Sequence, residues 1–183
     1  AGKTRICIEA LTRFAAKESL SGPILWIAQS DELCEQAVQT WSEIWRAFGP
    51  QGRMRISRLW GPNGAVPFLE GTHVIVATIQ KIQGCVGDTE YDWLDNAACI
   101  VIDEAHNLIS RIVNKLKRPE SLAMRLYEYL MSADNCKIVL LSGTPIINYP
   151  NEIAIMFNIL RGYIKTWTFP LVVKTSKKID KTE

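Results

Sequence analysis

The sequence predicts an α/β fold in which helices cover both faces of a mainly parallel sheet. Short, continuously apolar segments alternate along the chain with longer segments of helical periodicity. Strands of a parallel sheet are buried on both faces, which makes them continuously apolar, and helices connect them. Polar residues directly follow three of the apolar segments, at Thr78, Asp103 and Ser142. Because ligands bind at the carboxyl ends of parallel strands, we expect these residues to share one functional edge.

Three strands and three helices are predicted in the first part of the chain. The strands are expected at residues 24–28, 54–60 and 73–77. The first helix follows Thr4 and carries one apolar face, formed by Ile6, Ala10 and Phe14. The second runs from about Asp31 to Phe48, since Ser30 is a suitable N-cap. Its apolar residues recur at helical spacing as Leu33, Ala37, Trp41, Ile44 and Phe48. A third, short helix follows Thr78.

Two further strands and two helices are predicted in the remainder of the chain. The strands are expected at residues 98–102 and 137–141. One helix runs from about Glu120 to Met131, because Pro119 suits the first helical turn. Its apolar face is expected to contain Leu122, Leu126 and Leu130. The last helix is expected to begin at Pro150 and to end at Arg161 and Gly162.

The composition is that of a globular protein with one sizeable core. The chain has 183 residues, of which 48% are hydrophobic and 22% charged. No apolar run approaches the roughly 20 residues that span a bilayer, so no membrane partner is expected. The net charge of +2 is too small to indicate nucleic-acid binding by itself. Five cysteines without a C-x-x-C pair make a zinc site improbable and favour a reducing, intracellular setting.

Residues Gly2-Lys3-Thr4 match the end of the phosphate-binding pattern G-x-x-x-x-G-K-[ST]. In that loop, backbone N–H groups surround the phosphates, the lysine reaches the outer phosphates, and the hydroxyl binds magnesium. The helix that follows would direct its positive end at the phosphates. Three residues match by chance in many proteins, and most of the preceding pattern is not in the sequence. The motif therefore needs support from elsewhere in the chain.

That support comes from Asp103-Glu104-Ala105-His106, which directly follows a continuously apolar strand. Asp103 is placed to join a magnesium shell, and Glu104 is placed to polarise an attacking water. Acidic residues also favour the first turn of a helix, which is the alternative reading of this segment. Three motifs follow one another along the chain: Gly2-Lys3-Thr4, the DEAH segment and, after a further strand, Ser142-Gly143-Thr144-Pro145. This order favours nucleoside triphosphate hydrolysis.

These motifs together resemble the superfamily 2 helicases and translocases. The resemblance covers residues 1–173 as the first of their two RecA-like motor domains, with residues 174–183 as a lysine-rich tail or the start of a linker. It implies a P-loop NTPase three-layer sandwich without its first strand, and ATP and Mg²⁺ as cofactors. It also implies catalytic roles for Lys3, Asp103, Glu104 and His106. Ser142, Gly143 and Thr144 would couple the nucleotide state to the grip on nucleic acid.

Two segments resemble the family's nucleic-acid-binding motifs, at Gln29–Gln36 and Val74–Ile79. By that resemblance, Gln29, Ser30 and Thr78 would lie along a nucleic-acid backbone, with DNA favoured over RNA. Hydroxyls and amides commonly contact phosphates without reading sequence. Ser30 is equally explained as an N-cap, and Thr78 as the residue that ends a strand. The six tryptophans could stack on bases, but their apolar surroundings favour the core.

The chain departs from the family pattern at both ends. The strand before the phosphate loop is not in the sequence, and in this family it lies inside the sheet, so a central gap with unpaired backbone groups is expected. The second motor domain, which supplies the family's arginine finger, is also not in the sequence. We therefore expect the isolated chain to hydrolyse ATP poorly or not at all. The alternatives are a fragment that only binds nucleic acid or does not fold, and a P-loop ATPase unrelated to nucleic acid.

The resemblance also changes along the chain. Residues up to about His106 resemble type III restriction subunits, whereas residues from about Asn107 to Thr175 resemble Swi/Snf-like helicases of large DNA viruses. Residues 1–106 hold three lysines and six arginines, and residues 107–183 hold eight and four. Two explanations of this change are open. One is a fusion at the DEAH segment, by recombination or in sequence assembly. The other is a single family member of uneven composition. The viral part would place the protein in a virion or viral factory, and otherwise a cytoplasmic location is expected.

The predicted function is ATP-driven unwinding of nucleic acid or translocation along it. The first part of the chain favours an unwinding or restriction-type motor, and the second part favours a double-strand translocase. Strand-displacement assays separate the two, since a pure translocase moves without releasing a strand.

Overall fold

The computed structural model describes residues 2–18, 20–146 and 148–162, and its five-stranded, all-parallel sheet confirms the predicted α/β class. The strands are β1 (Ile24–Ala28), β2 (Arg53–Leu59), β3 (Gly71–Thr78), β4 (Cys99–Ile102) and β5 (Lys137–Leu140). They are arranged in the order β2-β3-β1-β4-β5. Every neighbouring pair is parallel, so the carboxyl ends of all five strands lie at one edge.

Helices pack on both faces of this sheet. They are α1 (Gly2–Lys17), α2 (Asp31–Phe48), α3 (Ile79–Cys85), α4 (His106–Val113), α5 (Leu122–Ser132) and α6 (Asn151–Arg161), with a 3-10 helix at Thr89–Asn96. Residues of α1 and α2 share one apolar cluster with the sheet. Residues of α3, α4, α5 and α6 share the other. Neither α4 nor the 3-10 helix was predicted from the sequence pattern.

The alternation of side chains along β1 explains why the strand is continuously apolar. Leu25 and Ile27 belong to the cluster on one face, and Ile24 and Trp26 to the cluster on the other. All five residues of β1 are buried, because the strand is central and covered on both sides. Trp26 packs edge to face against Trp41 of α2, with ring centroids 6.4 Å apart. These two tryptophans are core residues, as their apolar surroundings predict.

The start of α2 is fixed by local hydrogen bonding. The Ser30 hydroxyl accepts a bond from the Leu33 amide at 3.5 Å, and the helix ends where Gly49 N–H donates to the Trp45 carbonyl at 2.8 Å. The bounds of β1 and α2 are those predicted. Thr78 caps α3 in the same way, through the Lys81 amide at 3.3 Å. The N-cap interpretation of Ser30 is therefore confirmed. Thr78 is the last residue of β3, as predicted, and it is also the N-cap of α3, which was not predicted.

Several apolar faces differ from those predicted. In α1 the buried residues are Ile8 and Thr12, whereas Ile6 is 71% exposed. Cys7, Ile8 and Leu11 form a competing stripe of similar spacing, and the position of α2 decides between the two. Phe48 is 40% exposed and lies under the Arg13 guanidinium, 4.4 Å from the ring centroid.

The start of α5 was predicted two residues early. The helix begins at Leu122, because the Ser121 hydroxyl accepts a hydrogen bond from the Met124 amide at 3.4 Å and acts as the N-cap. Pro119 therefore precedes the helix and is not in its first turn. Leu126 and Leu130 are buried as expected, but Leu122 is 47% exposed at the helix end.

The predicted gap in the middle of the sheet is wrong. The five strands are contiguous, and β1 occupies the centre with β3 and β4 on either side. β5 pairs only with β4 and forms an edge of the described sheet, with partly exposed side chains. Its free backbone groups therefore lie at the periphery. The lysine-rich tail at 174–183 and Trp167 lie outside the described residues.

His73 predicts a measurable pH dependence of stability. It lies within β3, only 4% exposed, with Nε2 2.9 Å from the Ser57 hydroxyl. Burial, assisted by the charge of Arg55, lowers the pKa of His73 from 6.5 to about 4. The unfolded chain therefore binds one more proton than the folded chain between these values. The free energy of unfolding should fall as the pH drops from about 6.5 toward 4, by at most about 1.4 kcal/mol per pH unit.

Urea unfolding at about pH 7 and about pH 5 measures this effect. The variant His73→Gln removes the titrating ring and keeps a polar side chain, so its free energy of unfolding should change less across the interval. Equal pH dependence in the two proteins would show that His73 is not the group responsible.

Candidate nucleotide-binding site

The segment after β4 is held in place by backbone hydrogen bonds to two neighbouring strands. The Asp103 amide donates to the Ile27 carbonyl of β1 at 2.8 Å. The Ala105 amide donates to the Leu141 carbonyl, just beyond β5, at 2.9 Å. Asp103 and Glu104 are thereby fixed at the carboxyl edge of the sheet, in the position predicted from the strand-end rule.

Asp103 contacts the first turn of α1. The Thr4 hydroxyl donates to Asp103 Oδ2 at 3.1 Å, joining residues 99 positions apart in the sequence. Asp103 is 6% exposed. Burial raises the pKa of its carboxyl, and the hydrogen bond from Thr4 opposes that shift. A carboxylate and a hydroxyl are oxygen ligands of the kind that Mg²⁺ prefers, and a bound cation would offset the cost of burying the charge. These residues therefore fit a magnesium ion.

Glu104 adopts an unusual backbone conformation. Its φ of 49° lies in the left-handed region, which non-glycine residues rarely occupy and which costs conformational energy. The conformation is stabilised because Asp103 Oδ1 accepts the Glu104 amide at 3.1 Å. The Glu104 carboxylate lies next to α1, with Oε1 3.3 Å from Lys3 Nζ. The two acids of the motif therefore each contact a different residue of the Gly2-Lys3-Thr4 motif.

His106 and Ser142 lie beside this pair. His106 Nδ1 is 3.0 Å from the Ser142 hydroxyl and 3.4 Å from Glu104 Oε2. The same hydroxyl accepts the Thr144 amide at 3.1 Å. Gly143 lies so close to Lys3 that a Cβ at this position would be 3.2 Å from Lys3 Nζ. The loop after β5 is thus linked to Glu104 through His106, and its Gly143 lies next to the Lys3 ammonium.

The helix that bears Gly2 and Lys3 has features suited to an anion. Both residues are in the first turn of α1, whose N-terminal end carries the positive partial charge of the helix dipole. No acidic residue lies in that turn. Both residues are exposed, so a phosphate could reach the amide groups and the lysine.

Gln29, Ser30 and Thr78 are brought together at a separate cleft on the same edge of the sheet. The cleft has a volume of about 580 Å³ and lies where β1 leads into α2 and β3 leads into α3. The Gln29 carbonyl oxygen Oε1 is buried without a hydrogen-bond partner. The cleft also contains Lys81, whose Nζ donates to the Gly61 carbonyl at 3.1 Å. Asp31 and Glu32 line it as well.

Lys81 and Gly61 also line this cleft and were not predicted to do so. Lys81 could have been found from its spacing, since it follows Thr78 by three residues and so lies one helical turn away. Gly61 could not have been found from the sequence, because the pairing of β2 with β3 is what brings its carbonyl to the cleft.

Comparison with known proteins gives the family. The family described as "Type III restriction enzyme, res subunit" matches residues 1–147. A protein of Acanthamoeba polyphaga mimivirus that is named as an ATP-dependent RNA helicase, R350, is 41% identical over 73 residues, covering 37% of this chain and 9% of that protein. A termination factor NPH-I homolog of African swine fever virus is 39% identical over 69 residues, covering 38% of this chain and 10% of that protein.

Solved structures support the same fold. S. cerevisiae Dbp5 bound to Gle1 and IP6 is similar with a TM-score of 0.59 and 19% identity, over 87% of this chain and 37% of that chain. The UvsW helicase from bacteriophage T4 has a TM-score of 0.51 and 17% identity, over 86% of this chain and 48% of that chain. The chain therefore spans less than half of each of these proteins.

The fold and the comparisons define a helicase-family domain with a RecA-like α/β architecture. The chain belongs to the family of the type III restriction enzyme res subunit. The predicted resemblance to superfamily 2 helicases, with restriction-subunit and viral relatives, is confirmed. The family match includes both sides of His106, and residues from both sides share one core cluster. A fusion at the DEAH segment stays a hypothesis. No helix in the described part of the chain is long and apolar enough to cross a membrane.

Proposed function

We propose that this chain is the nucleotide-binding motor domain of an ATP-dependent nucleic-acid helicase or translocase. The observation that carries the proposal is the contact of Thr4 with Asp103 at 3.1 Å and of Lys3 with Glu104 at 3.3 Å. A phosphate-binding motif and an acidic motif, distant in the sequence, meet at the carboxyl edge of a parallel sheet. This arrangement provides phosphate-binding, cation-binding and water-activating groups within one site.

Gly2, Lys3 and Thr4 are proposed to bind the phosphates of ATP, and Thr4 and Asp103 to hold Mg²⁺. The bound cation would neutralise negative charge on the phosphates. Lys3 would leave Glu104 and pair with an outer phosphate, because a phosphate carries more negative charge than one carboxylate. That exchange would free Glu104 Oε1 to accept a proton from the attacking water.

His106 is proposed to position Glu104 and to report the state of the site to the loop after β5. It lies between Glu104 Oε2 and the Ser142 hydroxyl, at 3.4 and 3.0 Å. Movement of Lys3 would also change the space beside Gly143, where a Cβ would lie 3.2 Å from Lys3 Nζ. Ser142, Gly143 and Thr144 would thereby couple the nucleotide state to the grip on nucleic acid.

The nucleic-acid track is proposed to cross the cleft that contains Gln29, Ser30 and Thr78. The Lys81 ammonium gives this cleft a positive charge, and the Ser30 and Thr78 hydroxyls and the side-chain NH₂ of Gln29 can donate hydrogen bonds to phosphate oxygens. Contacts of this kind bind the backbone and do not read sequence. DNA is the proposed substrate, and a second RecA-like domain in the whole protein is proposed to complete the ATP site.

The test is ATP turnover by the whole protein with Mg²⁺, with and without saturating double-stranded DNA, single-stranded DNA or single-stranded RNA of equal length. Turnover that is stimulated by nucleic acid supports the proposal. Strand displacement would then identify unwinding, and ATP-dependent movement without strand release would identify translocation. Binding of nucleic acid that ATP does not change, with no turnover, would instead identify a non-catalytic nucleic-acid-binding protein.

Ser142→Ala is expected to weaken coupling more than basal hydrolysis. The substitution removes the hydroxyl that contacts His106 and Thr144 but leaves Lys3, Asp103 and Glu104 in place. Loss of one such hydrogen bond costs about 1 kcal/mol, so nucleic-acid stimulation of kcat should fall by about fivefold. The measurement is the ratio of kcat with saturating oligonucleotide to kcat without it.

A matched control is Ser132→Ala, since Ser132 is an exposed serine at the end of α5 whose hydroxyl donates to the Tyr129 carbonyl at 3.1 Å. That variant should keep the ratio of the unmodified protein. An unchanged ratio in Ser142→Ala would refute the coupling role.

A further inference from the structure

A cavity of about 340 Å³ lies at the edge of the sheet opposite the proposed ATP site. Apolar and aromatic side chains form one part of its lining, and polar groups of Ser21, His73 and Asn96 also contribute. The apolar part includes Pro23, Pro67, Phe68, Leu69 and Trp93. Pro23 directly precedes β1, and Asn96, also in the lining, lies just before β4. The cavity is therefore at the amino ends of the strands. Its volume is within the range of pockets that bind a ligand or a partner side chain.

The aromatic wall of this cavity is held by packing within the fold. The rings of His73 and Trp93 are stacked, with centroids 5.6 Å apart and planes 6° apart. Phe68 meets the His73 ring edge to face at 6.0 Å. His73 Nε2 is engaged by Ser57, and within the described residues Nδ1 has no hydrogen-bond partner. The wall is thus preformed, and little conformational entropy would be lost when it binds a partner.

The mouth of the cavity exposes apolar surface. Leu69 is 94% exposed and Val66 53% exposed, both in the segment that joins β2 to β3. Leu69 also lines the cavity, so its apolar surface is continuous with the aromatic wall. An exposed apolar rim around a concave apolar surface is typical of a protein interaction site.

Arg55 adds an unneutralised positive charge to the same mouth. Its guanidinium carbon lies 5.9 Å from the Phe68 ring centroid, and Arg55 is opposite His73 in the pairing of β2 with β3. The other two arginines of β2 form ion pairs, Arg53 with Glu70 and Arg58 with Glu35. Among the described residues, Arg55 has no carboxylate partner within ion-pairing distance. A ligand at this mouth would therefore gain from carrying a negative charge.

We propose that this cavity is a docking site for an acidic segment of a partner protein. The segment would insert one aromatic or branched apolar side chain between Phe68, Trp93 and the prolines, and place a carboxylate beside Arg55. A nucleobase is a poorer occupant, because the His73 and Trp93 rings already stack on each other, which leaves fewer open ring faces for a base. The site is independent of the proposed ATP and nucleic-acid sites, which occupy the opposite edge.

The test uses two peptides that differ only in charge, acetyl-Asp-Asp-Phe-Leu-Gly-amide and acetyl-Lys-Lys-Phe-Leu-Gly-amide. Each is titrated into the ¹⁵N-labelled chain, and the indole N–H signal of Trp93 is followed after its assignment with Trp93→Phe. We expect the acidic peptide to shift this signal saturably and the basic peptide to bind more weakly. The same spectra report whether each variant is folded.

Two variants make the assignment specific. Arg55→Glu should reverse the order of the two peptides, with a change of about threefold to fivefold for each, as expected for an exposed ion pair. Leu69→Ser should weaken both peptides together, since it removes an apolar contact and no charge. Arg46→Glu and Leu122→Ser change exposed residues of the same types elsewhere and should alter neither affinity.

The proposal fails if neither peptide shifts the Trp93 signal, or if both bind equally and Arg55→Glu has no effect. A stronger response to oligothymidylate than to the acidic peptide would identify a nucleic-acid site and also overturn it. Self-association of the chain that Leu69→Ser abolishes, measured by sedimentation, would identify a second copy as the occupant and would overturn it as well.

Discussion

Glu104→Gln in the whole protein is expected to lower kcat for ATP hydrolysis by about 10²- to 10⁴-fold, the usual contribution of a general base. The amide has nearly the same shape as the carboxylate but cannot take a proton from water. ATP affinity should stay within a few-fold of the original, because the proposed phosphate and magnesium ligands are other residues. The variant should therefore bind ATP and fail to turn it over.

The geometry around Glu104 supports this separation of binding from hydrolysis. Lys3 contacts Oε1 and His106 contacts Oε2, and an amide oxygen can still accept the bond from Lys3. The left-handed backbone at residue 104 depends on the Asp103 carboxylate, which the substitution does not change. Glutamine at this position should therefore keep the local structure of the site.

Titration with a fluorescent ATP analogue measures binding, and release of phosphate in a single turnover with Mg²⁺ measures hydrolysis. Glu43→Gln is a matched control, since Glu43 is an exposed residue of α2 paired with Arg5 on the outer surface. Near-normal turnover in Glu104→Gln would remove Glu104 from the proposed chemistry.

The parts of the fold that could be predicted from the sequence are those specified by residues close together in the chain. β1 is a continuously apolar run that ends at a helix cap, so its bounds and those of α2 could be read directly. The strand-end rule also predicted that Thr78, Asp103 and Ser142 lie at one edge of the sheet. That rule needs only the direction of the strands, which alternation with helices indicates.

The parts that could not be predicted depend on contacts between distant segments. The prediction of the buried face of α1 was wrong because two apolar stripes compete on that helix. Only the position of α2 decides that Ile8 is buried and Ile6 is exposed. The position of β5 at a sheet edge follows from strand order, which no single segment specifies. The aromatic cavity likewise brings together residues near 23, 68 and 93, with no motif in the sequence to mark it.

The geometry of the candidate site shows the same division. The motifs identified Lys3, Thr4, Asp103 and Glu104 as a group, but they did not indicate which acid meets which residue of the first motif. The structure pairs Thr4 with the buried Asp103 and Lys3 with the more exposed Glu104. The motifs also did not indicate that Glu104 has a left-handed backbone conformation, with a φ of 49°.

Lys3→Ala is expected to weaken ATP binding, in contrast to Glu104→Gln. Lys3 is the charged group of the Gly2-Lys3-Thr4 motif, and its ammonium is proposed to move from Glu104 to an outer phosphate. Hydrogen bonds to charged groups contribute about 1.5–3 kcal/mol, so affinity for ATP should fall by roughly tenfold to hundredfold. Titration of the variant with the same fluorescent ATP analogue gives the change directly.

A second effect distinguishes this role from a general loss of charge. Without Lys3, Glu104 loses its ion-pair partner, and the site gains net negative charge that repels ATP further. Lys17→Ala removes the same charge from the last turn of the same helix and should leave ATP affinity nearly unchanged. Lys3→Arg keeps the charge with different geometry, so it should bind ATP better than Lys3→Ala. Equal affinities for Lys3→Ala, Lys17→Ala and the original protein would rule out Lys3 as a phosphate ligand.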